Sequence, residues 1–219
     1  MKFIIFGDSI SVGQYVFPHM TWASRLSRMI EEMSNSFDKQ MLVQVEAING
    51  RTTRQALEDI PVEVQKHAPE IVMVQFGMND CNYWLTDQGV PRVSKGAFEQ
   101  NLKEIIDRCF NFNAKHIFLN TNHPSARNFP LDANPEISYQ NSNEAYNQII
   151  RNVAAEYPKE KMTLTDMEDI FLGEFKVNST TAESYVLPEP DLLHLNLNGH
   201  DLYYKTLSRV VKQKFMQFI

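Results

Sequence analysis

A serine near the start of the chain and an aspartate and histidine near its end have the types and spacing for acyl-transfer chemistry. Ser9 follows Gly7-Asp8 at the close of the apolar run Phe3-Ile4-Ile5-Phe6. A serine hydroxyl is a poor nucleophile at neutral pH, so it needs a base within hydrogen-bond reach, and the base needs a third group to fix its tautomer. Asp191-Leu192-Leu193-His194 supplies both: a carboxylate three positions before an imidazole can accept from Nδ1 and leave Nε2 facing the nucleophile. Attack on an acyl carbon also places negative charge on the carbonyl oxygen, where one well-placed amide donor is worth about 2.7–4 kcal/mol. The candidate donors are the backbone N–H groups of Ser9 and Gly50 and the side-chain amide of Asn79. Each residue also has a plainer reading. Ser after Gly-Asp suits a helix N-cap, Gly and Asn serve turns, and an Asp close to a His is common on surfaces.

These residues sit where a parallel α/β sheet would put them. Phe3 to Phe6 reads as a buried strand that Gly7 ends, and Met41 to Ile48 as a second strand leading into Asn49-Gly50-Arg51-Thr52. Ile71 to Gly77 is a continuous apolar run of the kind found in a central strand, followed by Met78-Asn79-Asp80. Lys115 to Asn120 and Met162 to Met167 supply a fourth and a fifth strand. Between them, apolar residues recur at helical steps from Trp22 to Met33, through Ala56, Leu57 and Ile60, from Phe98 to Cys109 and from Ser142 to Val153. A closing helix runs from Gly199 through Leu202, Tyr203, Leu207, Val210, Val211 and Phe215. Ile10 to Met20 holds no helical period, and the polar stretch from His123 to Gln140 reads as a substrate-side loop or a disordered excursion. Five strands, each followed by a helix, predict a doubly wound parallel sheet with helices on both faces, and strand ends dense in Gly, Asp, Asn and Ser then converge on one edge. Strand order is not readable from these patterns.

Ring-bearing residues in the strand-end loops, Phe17, His19, Tyr83, Trp84 and His123, are candidates for an acyl or alcohol pocket, with core packing as the alternative. Asp8 reads as a turn-stabilising carboxylate, and Cys81 and Cys109 as free thiols of a reducing compartment. With 219 residues, 43% hydrophobic and 22% charged, the chain suits one globular domain spanning 1–219. A net charge of −6 offers no basic footprint for nucleic acid. Four apolar residues before Gly7 are too few for a signal-peptide core, and no stretch approaches the roughly 18 apolar residues of a membrane span, so a cytoplasmic protein is expected. No metal is assigned, because the histidines show no ligand spacing and no accompanying cluster of Cys or carboxylates. The G-x-S-x-G elbow and the phosphate-binding P-loop are both absent.

Taken together, Gly7-Asp8-Ser9, Asn49-Gly50-Arg51-Thr52, Gly77-Met78-Asn79-Asp80 and Asp191-Leu192-Leu193-His194 resemble, in order, the four blocks of the SGNH hydrolases, also called GDSL-type esterases and lipases. The resemblance spans almost the whole chain. It implies a flavodoxin-like, three-layer α/β/α sandwich around a five-stranded parallel sheet, and ester hydrolysis without metal or organic cofactor. The substrate it implies is a small O-acyl ester, which we expect to carry a short acyl group such as acetyl. Transfer of the acyl group to a sugar or alcohol needs the same triad, and a non-catalytic binding module is the alternative of another class. Two departures bear on substrate: Arg51 stands where many members carry Asp or Asn, and Cys81-Asn82-Tyr83-Trp84 follows the third block.

Overall fold

The computed structural model describes residues 1–37 and 40–215. In chain order the elements are β1 (Lys2–Gly7), α1 (Ser9–Val12), α2 (Trp22–Asn35), β2 (Leu42–Ala47), α3 (Thr53–Glu63), β3 (Ile71–Gln75), α4 (Lys95–Asn111), β4 (His116–Asn120), β5 (Pro130–Leu131), β6 (Asn134–Ser138), α5 (Tyr139–Ala155), β7 (Met162–Thr165), α6 (Met167–Asn178) and α7 (Leu197–Phe215). Five strands form a parallel sheet in the order β2-β1-β3-β4-β7. The chain first steps outward from β1 to β2 and then works back across β3, β4 and β7. Right-handed crossovers therefore put α2 on one face and α3, α4 and α5 on the other. The packing agrees: α2 lies against α7, while α3 contacts α4 and α4 contacts α5. The chain thus has the predicted three layers.

Hydrophobic pattern and position correspond strand by strand. Every residue of β3 and β4 is buried, whereas every residue of β2, at the sheet's edge, is half-buried or exposed. Helix starts follow local chemistry. Thr21 caps α2 through Ser24 N–H, and Thr52 and Gln55 form a reciprocal capping box at α3, each satisfying an amide the helix leaves unpaired. The core gathers Phe3, Phe6, Trp22, Phe98, Phe118 and Tyr203 from both faces. Cys81 and Cys109 are buried free thiols within it, and burial pushes each up to about 12, so neither is a reactive thiolate. Phe215 closes the predicted apolar stripe of α7, but its side chain lies outside the described residues.

Two stretches differ from their sequence reading. The unpatterned segment after Ser9 opens with a single helical turn, α1, because the Asp8 side chain caps it through Ile10 N–H. The segment from His123 to Gln140, read as a substrate-side loop or a disordered excursion, is a stretch without helix or strand over 123–129 followed by regular structure. Residues 123–126 are buried, β5 and β6 then pair as a small antiparallel hairpin, and Ser138 caps α5, which begins at Tyr139.

Candidate active site

The C-terminal ends of β1, β3 and β4 converge on one edge of the sheet, joined there by the loop after β2 and the segment before α7. Ser9 is the first residue of α1, immediately past the end of β1. Gly7 allows that tight exit, since a Cβ on it would lie 2.3 Å from Ser11 Oγ and 3.0 Å from the Gln75 carbonyl. Ser9 Oγ is 3.0 Å from His194 Nε2, and His194 Nδ1 is 2.7 Å from Asp191 Oδ2. The other carboxylate oxygen of Asp191 accepts from the backbone N–H groups of Leu193 (3.0 Å) and His194 (2.6 Å). Burial works to raise Asp191, but these hydrogen bonds from His194 and Leu193 outweigh it and hold the carboxyl below its ordinary value. An ionised Asp191 fixes the proton on Nδ1, which leaves Nε2 free to accept from the serine hydroxyl.

The loop bearing Asp191 and His194 is fastened by its carbonyls, four in a row. Asp191 O accepts from Arg127 Nε (2.7 Å), Leu192 O from Ala126 N (2.9 Å), Leu193 O from His123 Nε2 (2.9 Å) and His194 O from Leu187 N (2.7 Å). Leu192 adopts φ +54°, a strained value for a branched residue that this set of bonds maintains. Three of the four donors come from residues 123–127. His123 therefore does not line a pocket: it is fully buried, bonded on its other nitrogen to Tyr203 Oη at 3.3 Å, and burial lowers it to about 4. The sequence reading placed it correctly at a strand end, but the chain beyond β4 stays under the 191–194 loop instead of opening to solvent.

The proposed oxyanion donors stand on the opposite side. Ser9 N–H lies in the first turn of α1, where amides lack an intrahelical carbonyl. Gly50 has φ +78°, a conformation that favours glycine, and a Cβ there would meet nothing within 4 Å, so backbone angle and not crowding requires the residue. Asn79 is oriented from both ends of its amide. Nδ2 donates to Asp8 Oδ2 at 3.4 Å and Oδ1 accepts from Arg92 Nη1 at 3.3 Å. The same Arg92 nitrogen donates to Gly50 O at 3.1 Å, so one guanidinium joins two of the three donor residues. Trp84 carries that guanidinium 4.1 Å from its ring centroid. Trp84 thus has an exposed ring, as a pocket residue would, but it acts as Arg92's platform, and Tyr83 is half-buried beside it, bridged to Pro91. Sequence reasoning missed Arg92 and Arg127. Both act through folded contacts that no local motif marks.

Two buried carboxyls lie behind these donors. Burial pushes Asp8 up to about 7 against the pull of Ile10 N–H, and the charge of Asp80 adds to the rise. Burial likewise raises Asp80 to about 6, although Thr53 donates to it through both backbone N–H (2.9 Å) and hydroxyl (2.5 Å). The Thr53 contacts tie the start of α3 to the turn after β3. From the other side, Ser142 Oγ donates to Cys81 O (2.7 Å) and Tyr139 Oη to Met78 O, bracketing Asn79. Arg51 turns away from the site and is buried over the Phe6 ring, paired with Asp59 and Glu63.

Against Tyr15 lies a cavity of about 510 Å³, lined also by Phe17, Pro18, Leu187, Asn196 and Leu197 among others. Phe17 is the one predicted pocket residue that borders it, and Tyr15 meets the His194 ring edge-on at 5.5 Å between centroids. Among the described residues no group of three His, Cys, Asp or Glu side chains could hold a metal ion, and no helix is long and apolar enough to cross a membrane.

The sequence profile of the GDSL-like Lipase/Acylhydrolase family matches residues 5–202, which takes in all four motif blocks. The chain belongs to this family. As a GDSL-like acylhydrolase it is an ester-hydrolysing enzyme, and its solved structural neighbours share the fold. A lipase/acylhydrolase from Enterococcus faecalis superposes with a TM-score of 0.70 at 20% identity, over 97% of this chain and 96% of that one. Axe2, an acetylxylan esterase from Geobacillus stearothermophilus, gives 0.73 at 17% identity over 95% and 92%. The acetyl xylan esterase AlAXEase gives 0.71 at 21% identity over 96% and 100%. No curated relative matches the chain by sequence.

Proposed function

We propose that this GDSL-like acylhydrolase cleaves O-acyl esters of short acyl chain through a Ser9-His194-Asp191 triad. The observation that carries the reading is the unbroken hydrogen-bond chain from Asp191 Oδ2 through the imidazole to Ser9 Oγ, at 2.7 and 3.0 Å. His194 Nε2 takes the serine proton as Oγ attacks the acyl carbon. The carbonyl oxygen, now anionic, is met by the Ser9 and Gly50 N–H groups and by Asn79 Nδ2. Nε2–H then passes its proton to the departing alcohol oxygen, leaving the acyl group on Ser9, and water, activated by the same imidazole, releases the acid. A short acyl group is supported by where open apolar space lies: the cavity adjoins the site through Tyr15, whose ring meets His194, and neither Gly50 nor Asn79 lines it. The names of two structural neighbours, both acetylxylan esterases, point the same way.

The test is covalent labelling with a fluorophosphonate, combined with hydrolysis of p-nitrophenyl esters from acetyl to palmitoyl. Wild type is expected to be labelled at Ser9, Ser9→Ala to be unlabelled, and rates to fall as the acyl chain lengthens. Labelling that survives Ser9→Ala overturns the triad, and a maximum at long chains overturns the short-acyl assignment.

A further inference from the structure

Tyr15 is placed against the ordinary preferences of its residue type. Its φ of +70° lies in the left-handed region that a bulky side chain disfavours, and the residue is 70% exposed, so core burial does not repay the strain. What the conformation achieves is contact with the imidazole that carries the transferred proton: the Tyr15 ring stands edge-on to His194, 87° between planes. Behind it, Phe17, Pro18, Leu187 and Leu197 continue an apolar wall, and Phe17 is itself 72% exposed.

The direction of proton transfer decides which part of an ester meets this wall. The leaving oxygen must lie within reach of Nε2 to receive the proton, so the alcohol begins on the imidazole's side, while the carbonyl oxygen points to the Gly50 and Asn79 donors. Hydrogen bonding decides the chemistry of that alcohol. Asn196 contributes an amide to the lining, but Nδ2 donates to Ser184 O and Val186 O (3.1 and 2.8 Å) and Oδ1 accepts from the N–H groups of Asn198 and Gly199 (2.9 and 3.1 Å). A polyhydroxylated sugar seated here would leave most of its hydroxyls without side-chain partners. We infer that the cavity beside Tyr15 is the leaving-alcohol site and takes an alkyl or aryl alcohol with a continuous apolar face. This assignment rests on the hydrolytic reading above.

The test holds the acyl group at acetyl and varies alcohols of similar acidity: methyl, butyl, benzyl and 2-naphthylmethyl acetates, with an acetylated methyl xyloside as the polyol. In wild type, kcat/KM is expected to rise about tenfold or more from methyl to 2-naphthylmethyl acetate and to be low for the xyloside. Phe17→Ala and Tyr15→Gly are expected to cut that ratio to about a third or less. Tyr15→Gly should also raise Tm by about 2–4 °C, because glycine accepts the left-handed backbone, whereas a purely structural tyrosine would lower Tm when removed.

A flat alcohol series, preference for the xyloside, or a Phe17→Ala effect confined to a series of methyl esters with lengthening acyl chains overturns the assignment. Sedimentation showing a dimer that Phe17→Ala dissociates gives the face to a second copy instead. If no ester is cleaved and Ser9 resists the fluorophosphonate, the hydrolytic reading fails and this assignment falls with it. If Ser9 is labelled but the alcohol series is flat, only the alcohol site is lost.

Discussion

The two sides of Ser9 are built by different means. On the acid–base side, four consecutive carbonyls of residues 191–194 are fastened at 2.7–2.9 Å by donors that include a fully buried histidine. On the donor side, Gly50 and Asn79 are joined by one half-exposed guanidinium at 3.1 and 3.3 Å, in front of two carboxyls whose protonation burial has shifted toward neutrality. The first arrangement holds an angle, which is what a base needs if it is to keep its tautomer and aim one lone pair. The second sets the positive charge of Arg92 beside the donor residues, which suits the place where negative charge develops during reaction. Mutations on the two sides should therefore fail differently.

The largest effects are expected at the proposed triad. Ser9→Ala and His194→Ala should each lower kcat by about 10⁴–10⁶-fold, and the double variant should be hardly worse than either, because the residues act as one unit. Additive losses would show that they do not. Next, Asn79→Ala should lower kcat by about 10²–10³-fold with KM little changed, the signature of an interaction made only in the transition state. A raised KM with kcat intact would make Asn79 a ground-state binding residue. Arg92→Ala should cost about 10–100-fold in kcat, as expected for loss of charged hydrogen bonds. It should add little on top of Asn79→Ala, since both act on one donor, and a fully additive double-mutant cycle would separate them.

His123→Phe should cost mainly stability, about 1–3 kcal/mol from the unpaired Leu193 carbonyl, with only a few-fold loss of kcat because the three other carbonyl bonds remain. Denaturant unfolding beside steady-state kinetics measures both, and a kcat loss as large as that of Asn79→Ala would break the contrast. The last prediction concerns pH. Asp8 has an ordinary value of 3.8 and a folded value of about 7, so between these limits the folded state binds more protons than the unfolded one. Its contribution to stability is complete below the lower limit and is lost as pH rises to the upper one. Asp80, raised to about 6, acts in the same direction, whereas His123 and His200, each lowered to about 4, oppose it, so the sign is read from the variant: across that window the unfolding midpoint of Asp8→Asn should fall less, or rise more, with pH than that of wild type. An unchanged slope in Asp8→Asn would place the proton elsewhere.

The residues of the candidate site were legible in the sequence by type and spacing. Ser9, Gly50 and Asn79 end or follow strands whose apolar runs mark them, and the carboxylate three positions before His194 announces itself. Legibility stopped where a role depends on contacts across the chain. Arg92 looks like any surface cation until Gly50, Asn79 and Trp84 surround it, and His123 reaches a carbonyl 70 residues away. The hairpin of β5 and β6 was hidden because its strands are short and carry Pro and Asn instead of an alternating apolar pattern. Strand order was hidden as well, since it is set by crossover geometry and not by composition. Tyr15 shows the remaining limit: nothing in the letters Gly13-Gln14-Tyr15-Val16 reveals a left-handed backbone.

The Ser9–His194 hydrogen bond joins residues 185 positions apart, so the proposed nucleophile follows the first strand made and its proposed base lies in the last loop before the final helix. During refolding, sheet and helices can form and report themselves by circular dichroism while Ser9 is still an ordinary alcohol. Docking of residues 191–193 on residues 123–127 is what brings His194 to it as the proposed base. Reactivity toward a fluorophosphonate is therefore expected to report whether the two ends of the chain have met, which circular dichroism does not.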